Sequence, residues 1–276
     1  MEALWDALLE PFRFSFMLRA LAVAVLVGVM CPLLGGYVIT RGLAFMSDGL
    51  AHAVMPGLIV GFLLGINPLL GALPIAVAMA VTVGAIERRT GVSADTAIGI
   101  MFAGSFALGL VLLKLTPALP VSVEDLLLGQ ILGVSAEDVW ITGGLAVVVL
   151  ATLTLLHKEL VFVSFDPVGA QVAGLKTTWL DHVLFVLLAV VVVLTLQAVG
   201  TILVMAMLVV PAATAYQVVR SFVPMLLLSV GLGVLAAVAG LYSSFYLNLP
   251  SGPAMTLIAT ALFMLVTFGA RARSRR

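Results

Sequence analysis

Charged residues are scarce in this sequence, and the shortage decides its class. Of 276 residues, only 9% are Asp, Glu, Lys or Arg, whereas 63% are hydrophobic. A water-soluble domain has roughly a quarter charged residues, which cover its surface. The composition therefore excludes a soluble globular protein and predicts a polytopic membrane protein.

Cysteine and long polar segments are nearly absent as well. The single cysteine, Cys31, lies in an apolar run, so the chain cannot form an internal disulfide, and we interpret this residue as packing. No polar stretch is long enough to hold a water-soluble catalytic domain. Any energy source that drives the protein must therefore lie outside this chain. We expect no permanently bound cofactor and no nucleic-acid partner.

Long apolar runs divide the chain into candidate transmembrane helices, since about 20 apolar residues suffice to cross a bilayer as a helix. Nine spans are predicted, and eight are the alternative. The stretch LTLQAVGTILVMAM around Gln197 and Thr201 is either a turn between two spans or the middle of a broken helix. The predicted spans are 15–39, 43–66, 69–86, 95–115, 138–157, 180–198, 200–219, 222–247 and 252–270.

These spans predict an all-α transmembrane helical bundle that forms one domain, 1–276, with an interfacial N-terminal segment at 1–14. With the C-terminal RARSRR in the cytoplasm, ten of the 13 basic residues are cytoplasmic, and Arg13, Arg19 and Lys114 are outside. Basic residues concentrate in the cytoplasmic loops of membrane proteins. The pattern predicts the N-terminus outside and the C-terminus inside. His157 and His182 then lie at cytoplasmic ends of spans, where we expect interfacial solvation.

The longest predicted cytoplasmic connection, 158–179, contains a short helix signal. In FDPVGAQVAG, Asp166 is placed to cap a helix, Pro167 to occupy its first position and Gly174 to end it. Such a helix suits docking into a groove on another protein, and the alternative is a helix lying on lipid headgroups. The overlapping GAQVAGLKT resembles a P-loop, but Leu175 stands where the lysine is required, so no nucleotide site is predicted.

Two ionisable residues, Asp48 and His52, interrupt the second predicted span in FMSDGLAHAVMPG. Residues four apart share a helix face, so both side chains can be directed to one point. A carboxylate and an imidazole together suit Mn²⁺, Fe²⁺ or Zn²⁺. Two ligands are too few for a tight site, and a two-fold homodimer beside this helix would double them. The alternative is that the two side chains hydrogen-bond each other or a neighbouring helix.

Six blocks of the sequence together resemble the membrane permease of ABC-type manganese, zinc and iron importers. The resemblance extends over about residues 10 to 270. It implies a permease in a bacterial inner membrane that transports a divalent metal ion, with Asp48 and His52 at the metal site. The blocks are FMSDGLAHAVMPG, DTAIGIMFAGSFALGLVLL, DLLLGQILGVS, HKELVFVSFDPVGAQVAGL, LQAVGTILVMAMLVVPAATA and YLNLPSGP.

The resemblance also implies partners. They are a cytoplasmic ABC ATPase dimer that hydrolyses ATP, an extracytoplasmic metal-binding protein, a second permease chain in a homodimer, and membrane lipid. The chain itself would not be an enzyme. The FDPVGAQVAG segment looks like the ATPase-coupling helix, with Asp166, Pro167, Ala170 and Gly174 in the family's positions.

The resemblance favours one metal over the others. The sequences HAVMPG and VVPAATA are more similar to those of manganese and iron members than to those of many zinc members. Mn²⁺ is therefore the expected cargo, and Zn²⁺ or Fe²⁺ is the alternative.

Two other functions remain open from the residues alone. A proton-coupled secondary metal carrier would use Asp48 and His52 as a proton relay and would need no ATPase. An intramembrane metalloenzyme would use the same pair as ligands. A catalytic metal generally takes about three protein ligands plus a base, and the sequence contains no HExxH helix, which counts against the enzyme.

Overall fold

The computed structural model describes residues 10–116 and 131–274. Within these ranges the regular structure is helical and contains no strand, which confirms the predicted all-α class. Short 3₁₀ turns occupy Glu10–Arg13 and Ile131–Gly133. The α-helices are α1 (Ser15–Thr40), α2 (Ala44–Ala53), α3 (Met55–Leu63), α4 (Pro68–Thr90), α5 (Ala94–Leu115), α6 (Ala136–Leu155), α7 (His157–Phe165), α8 (Pro167–Val172), α9 (Thr177–Val199), α10 (Thr201–Val218), α11 (Phe222–Leu247) and α12 (Ser251–Ser274).

Eight helical segments of the described chain are long and apolar enough to cross a membrane. They match eight of the predicted spans to within a few residues at each end. The ninth predicted span, 200–219, forms α10, whose apolar part Leu203–Val218 is shorter than the others. A count of nine is therefore not confirmed by length and composition. The eight segments are Ser15–Thr40, Ala44–Leu63, Pro68–Thr90, Ala94–Leu115, Ala136–Leu155, Thr177–Leu196, Phe222–Leu247 and Ser251–Gly269.

Gly200 separates α9 from α10. Its backbone has φ 80° and ψ 168°, a combination essentially restricted to glycine. The helices end at Val199 and restart at Thr201, so the break is a single residue long. The ambiguity between a turn and a continuous broken helix is resolved in favour of two helices joined by a one-residue turn.

Small polar side chains fix where the helices of the third and fourth spans begin. The Asn67 side chain accepts a hydrogen bond from the Leu69 N–H (3.0 Å) at the start of α4. The Ser93 hydroxyl accepts one from the Thr96 N–H (3.3 Å) at the start of α5. Each cap satisfies a backbone N–H that has no partner within its own helix. Short connections are therefore sufficient between these spans.

The chain divides into two compact units. The first comprises the described parts of Met1–Gly36, Glu124–Val147 and Gln197–Arg276, and in it α10, α11 and α12 pack against one another. The second comprises the described parts of Tyr37–Val123 and Val148–Leu196, and in it α2, α3, α4 and α5 pack together. Both predicted functional segments belong to the second unit. The single domain 1–276 stays a prediction, and most of the predicted interfacial segment 1–14 lies outside the described residues.

Helices α3 and α4 approach each other at glycines. A Cβ added at Gly71 would lie 2.8 Å from the Gly61 Cα and would overlap the carbonyl oxygen of Gly57. These obstacles are backbone atoms, which cannot move aside as a flexible side chain can. Gly71 therefore permits the contact between the two helices.

We expect Gly71→Val to destabilise the protein by about 1–3 kcal/mol or more, the cost of overpacking a close contact. Gly104→Val is the matched control, since Gly104 is exposed and a Cβ there meets nothing within 4 Å. Thermal melts in detergent, followed by size-exclusion chromatography, should show a lower midpoint for the Gly71 variant and an unchanged midpoint for the Gly104 variant. Equal midpoints would contradict the packing described here.

Candidate functional site

Asp48 and His52 lie on α2, which is the first half of the span Ala44–Leu63. They are the fifth and ninth residues of that 20-residue segment, which places His52 near its middle. Both residues are half-buried. One helical turn separates them, so they share a face of the helix as predicted.

The hydrogen bond of His52 decides which of its nitrogens can bind a ligand. His52 Nδ1 lies 3.2 Å from the backbone carbonyl oxygen of Asp48. A carbonyl oxygen only accepts, so Nδ1 carries the proton and donates it to this bond. In the neutral imidazole Nε2 then presents its lone pair, which is the arrangement that metal-binding histidines adopt.

The Asp48 carboxylate is not the partner of His52. In the part of the chain that the structure describes, this carboxylate makes neither an ion pair nor a hydrogen bond. The two side chains therefore do not hydrogen-bond each other, which is one of the two alternatives to a metal site. A carboxylate inside a membrane span needs a compensating charge or donors, so this group is suited to meet a cation.

Helix α5 holds the imidazole of His52 from one side. The rings of Phe102 and Phe106 meet it edge-on, with centroid distances of 5.6 and 5.7 Å. The Ser105 hydroxyl donates to the carbonyl oxygen of Ala53 (2.6 Å), which fastens the end of α2 to α5. These contacts restrict rotation of the imidazole. The sequence does not indicate these contacts, because no local pattern relates His52 to residues 50 or more positions away.

The helix is interrupted directly after His52. α2 ends at Ala53 and α3 begins at Met55. Pro56 explains the break, because it has no N–H to donate to the His52 carbonyl four residues earlier. Membrane transporters commonly place ion sites at interrupted helices. The predicted span 43–66 takes no account of this break, although the spacing of Pro56 from His52 signals it.

The described residues of a single chain contain no complete metal-ligand cluster. Over residues 10–116 and 131–274, no group of three or more His, Cys, Asp and Glu side chains could hold a metal ion together. Asp48 and His52 are thus two candidate ligands that require others. The contribution of a second copy stays a prediction.

The predicted coupling segment contains the short helix that its sequence indicates. The Asp166 carboxylate accepts a hydrogen bond from the Gly169 N–H (2.8 Å), and Pro167 is the first residue of α8. Ala170 is fully buried. Gly174 follows the helix with a φ of 85°, a left-handed conformation that ends it. The local structure of this segment is as predicted, whereas its coupling role is a matter of proposal.

His157 and His182, which are predicted to lie at the membrane interface, both have protein partners, and the expectation of solvation does not include them. His157 Nδ1 lies 2.6 Å from the Tyr37 hydroxyl oxygen. His182 donates from Nδ1 to the Thr178 carbonyl oxygen (2.6 Å), so its Nε2 accepts from the Arg88 guanidinium (2.5 Å). The partners are 120 and 94 residues away in sequence. Only the fold brings these groups together.

The fold and this site define a class: a multi-pass α-helical membrane protein with an ionisable pair inside an interrupted span. All eight spanning segments are apolar, and α8 lies in the connection between two of them. The chain belongs to the ABC 3 transport family, which it matches over residues 13–270.

Relatives and a solved structure agree with this assignment. The manganese transport system membrane protein MntC of Listeria monocytogenes is 38% identical over 92% of this chain and 90% of its own length. The chelated iron transport system membrane protein YfeD of Yersinia pestis is 38% identical over 96% and 89%. PsaBC from Streptococcus pneumoniae, solved in complex with Fab, superposes with a TM-score of 0.84 at 34% identity, covering 96% of this chain and 95% of that one.

The resemblance to permeases of ABC-type manganese, zinc and iron importers is therefore confirmed. The matched relatives are membrane proteins of bacteria. Together with the eight apolar helices, this makes the chain a multi-pass protein of a bacterial membrane.

Proposed function

We propose that this chain is the permease subunit of an ATP-driven importer that carries a divalent transition-metal ion, Mn²⁺ first, into the cytoplasm. The pair Asp48 and His52 on an interrupted membrane helix is the observation that carries the proposal. An unpaired carboxylate at membrane depth costs about 3 kcal/mol on insertion scales. A cation that passes the pair supplies the missing charge, and His52 Nε2 supplies a second ligand.

The metal is cargo, and its identity rests on the relatives more than on the ligands. Carboxylate and imidazole accept Mn²⁺, Fe²⁺ and Zn²⁺ alike. MntC is named for manganese, which makes Mn²⁺ the first candidate. YfeD is named for chelated iron and is equally similar at 38% identity, so Fe²⁺ is the second candidate and Zn²⁺ the third.

Nine crossings, with the N-terminus outside and the C-terminus in the cytoplasm, fit the contacts of the second unit. Nine are reached when α10 is counted as a span. The polar contacts Tyr37 to His157 and Arg88 to His182 join the end of α1 to the start of α7 and the end of α4 to the start of α9. In the proposed topology all four of these ends lie on the cytoplasmic side.

Helix α8 is the proposed docking point for a separate ATPase that hydrolyses the ATP. It lies outside the eight spanning segments. Val168 and Val172, four residues apart on α8, are 70% and 86% exposed. Exposed apolar side chains at this spacing suit insertion of the helix into a hydrophobic groove. In this proposal Asp166 and Pro167 fix the start of the helix, and Ala170 anchors it to its own chain.

A second permease chain and an extracytoplasmic metal-binding protein complete the proposed assembly. A two-fold dimer would bring two copies of Asp48 and two of His52 to one axis, which gives four ligands. A passing ion must be bound weakly enough to leave again, and a site shared between two chains meets that requirement. The binding protein would deliver the ion from outside the membrane.

Competitive uptake by the complete complex in proteoliposomes tests the proposal. We expect saturable uptake of radioactive Mn²⁺ that requires ATP on the side of the vesicle membrane where the ATPase is bound. Unlabelled Mn²⁺ should compete with this uptake better than Fe²⁺ or Zn²⁺. Stronger competition by Fe²⁺ or Zn²⁺ would reassign the cargo. Uptake by this polypeptide alone, driven by a proton gradient without ATP, would replace the ABC importer with a secondary carrier.

A further inference from the structure

Arg41 lies in the connection between α1 and α2, and that connection is short and tightly bonded. α1 ends at Thr40 and α2 begins at Ala44. The Arg41 N–H donates to the Tyr37 carbonyl oxygen (3.2 Å), and the Leu43 N–H donates to that of Val38 (2.9 Å). On the other side, the Met46 N–H of α2 donates to the Leu43 carbonyl oxygen (3.0 Å), so a displacement of Arg41 would reach the first turn of α2. Asp48 and His52 follow on the same helix.

The Arg41 side chain reaches three groups at once. Its Nε donates to the Ser164 hydroxyl (2.8 Å), one terminal nitrogen lies 2.5 Å from an Asp181 carboxylate oxygen, and the other lies 3.5 Å from the Leu160 carbonyl oxygen. The Ser164 hydroxyl donates in turn to the Leu160 carbonyl oxygen (2.6 Å). Only 11% of the Arg41 side chain is exposed. We name Arg41, Leu160, Ser164 and Asp181 the Arg41 clamp.

The Arg41 clamp includes residues of the two helices that flank α8 in the chain, α7 and α9. Leu160 and Ser164 belong to α7, and Ser164 stands two residues before the α8 cap Asp166. Asp181 is the fifth residue of α9, the next helix after α8. One guanidinium thus joins the helix before α8 and the helix after it to the start of α2. A rigid planar fork with several donors suits this three-way connection, whereas a lysine ammonium does not reproduce it.

We propose that Arg41 is the positioning residue that transmits movement of α8 to α2, and so links an ATPase at the cytoplasmic face to Asp48 and His52. This inference rests on the proposed function, because it takes α8 as the ATPase contact. An ion pair that only stabilised the fold would need no contact with both flanks of α8. The geometry gives the clamp a mechanical path from one functional segment to the other.

A label on α2 reports the transmission independently of transport. Phe45, the second residue of α2, is 51% exposed, whereas Cys31 is buried. In a Phe45→Cys background, an environment-sensitive thiol fluorophore therefore attaches at position 45. Fluorescence is measured on the complete complex trapped with ATP and vanadate. ATP hydrolysis and Mn²⁺ uptake are measured on untrapped portions of the same preparation, because vanadate stops turnover.

We expect Arg41→Gln to abolish the ATP-dependent fluorescence change and to lower uptake per ATP hydrolysed about tenfold, with hydrolysis within about twofold of the parent. Arg88→Gln is the matched control. It removes a guanidinium contact to α9 at His182, but Arg88 stands on α4 and not in the connection to α2. The control should keep the fluorescence change and the parent ratio of uptake to hydrolysis.

An unchanged fluorescence response in Arg41→Gln would overturn the inference, as would an equal fall of uptake and hydrolysis. If Arg41→Gln does not fold by size-exclusion chromatography, Arg41→Lys decides: full coupling in that variant overturns the clamp, and partial loss supports it. Failure of the proposed function has a different signature. The parent complex would then take up no metal, while ATP still shifted the α2 label in the parent and not in Arg41→Gln.

Discussion

Replacing Asp48 by asparagine is expected to reduce metal uptake by the assembled transporter at least about 100-fold. Removing a residue that only hydrogen-bonds a metal ligand already lowers metal affinity or activity about 10–100-fold. Asp48 is itself a proposed ligand, and it is the only carboxylate of the proposed pair. In a two-fold dimer, the substitution removes one negatively charged ligand group from each chain. Asparagine has nearly the same shape, so the loss would come from the charge. Initial rates of radioactive Mn²⁺ uptake in proteoliposomes measure the effect.

Ser47→Ala is the control for the Asp48 variant. Ser47 is the preceding residue of α2, is fully buried, and donates only to the Ala44 carbonyl oxygen of its own helix among the described contacts. Its uptake should stay within about twofold of the parent, as loss of one such local bond is a small change. His52→Gln should follow the Asp48 variant. Mn²⁺ uptake at the parent rate in Asp48→Asn would remove that carboxylate from the transport route.

Hydropathy and local chemistry predict most of the helical framework. Eight predicted spans correspond to helices, because apolar length alone identifies a segment that can cross a bilayer. The start of α8 is equally local: Asp166 caps the helix and Pro167 takes its first position, as their side-chain chemistry dictates. Sharing of one helix face by Asp48 and His52 follows from spacing alone.

The parts that sequence does not predict depend on residues far apart in the chain. Nothing near His157 indicates Tyr37, and nothing near Arg41 indicates Asp181, 140 residues away. Such pairs form only after the helices have packed, so a histidine beside charged neighbours reads as solvated. The break after His52 is different, since Pro56 is local and explains it. The segment is apolar throughout and is therefore predicted as one continuous span, although Pro56 indicates a break in the helix.

The second unit connects its two predicted functional segments through direct contacts. α2 carries the proposed ligands, α8 carries exposed apolar residues, and Arg41 connects the start of the first to both flanks of the second. An importer must couple ATP hydrolysis to the passage of an ion, although the ATPase and the ion site are far apart. Packed elements with two arrangements provide such coupling. A test of the exposed face of α8 therefore complements the test of the ligand pair.

Val172→Asp is expected to weaken binding of the ATPase to the permease at least about 30-fold, which corresponds to the 2 kcal/mol or more of an interface hot spot. Val172 is 86% exposed on α8, so the substitution costs the free permease little. On docking, the carboxylate would enter an apolar groove without a partner, and that burial is strongly unfavourable. Val168→Asp should act in the same direction. Titration of detergent-solubilised permease with purified ATPase measures the affinity.

Ala173→Asp adds the same charge one position further on and is the matched control. Ala173 is also exposed, but it follows the last residue of α8 and lies about 100° around the helix from Val172. A general repulsion between the ATPase and an acidic permease surface would weaken both variants equally. A specific apolar docking face would weaken only the valine variants. Parent affinity in Val172→Asp, with the permease folded, would move the ATPase contact away from this face of α8.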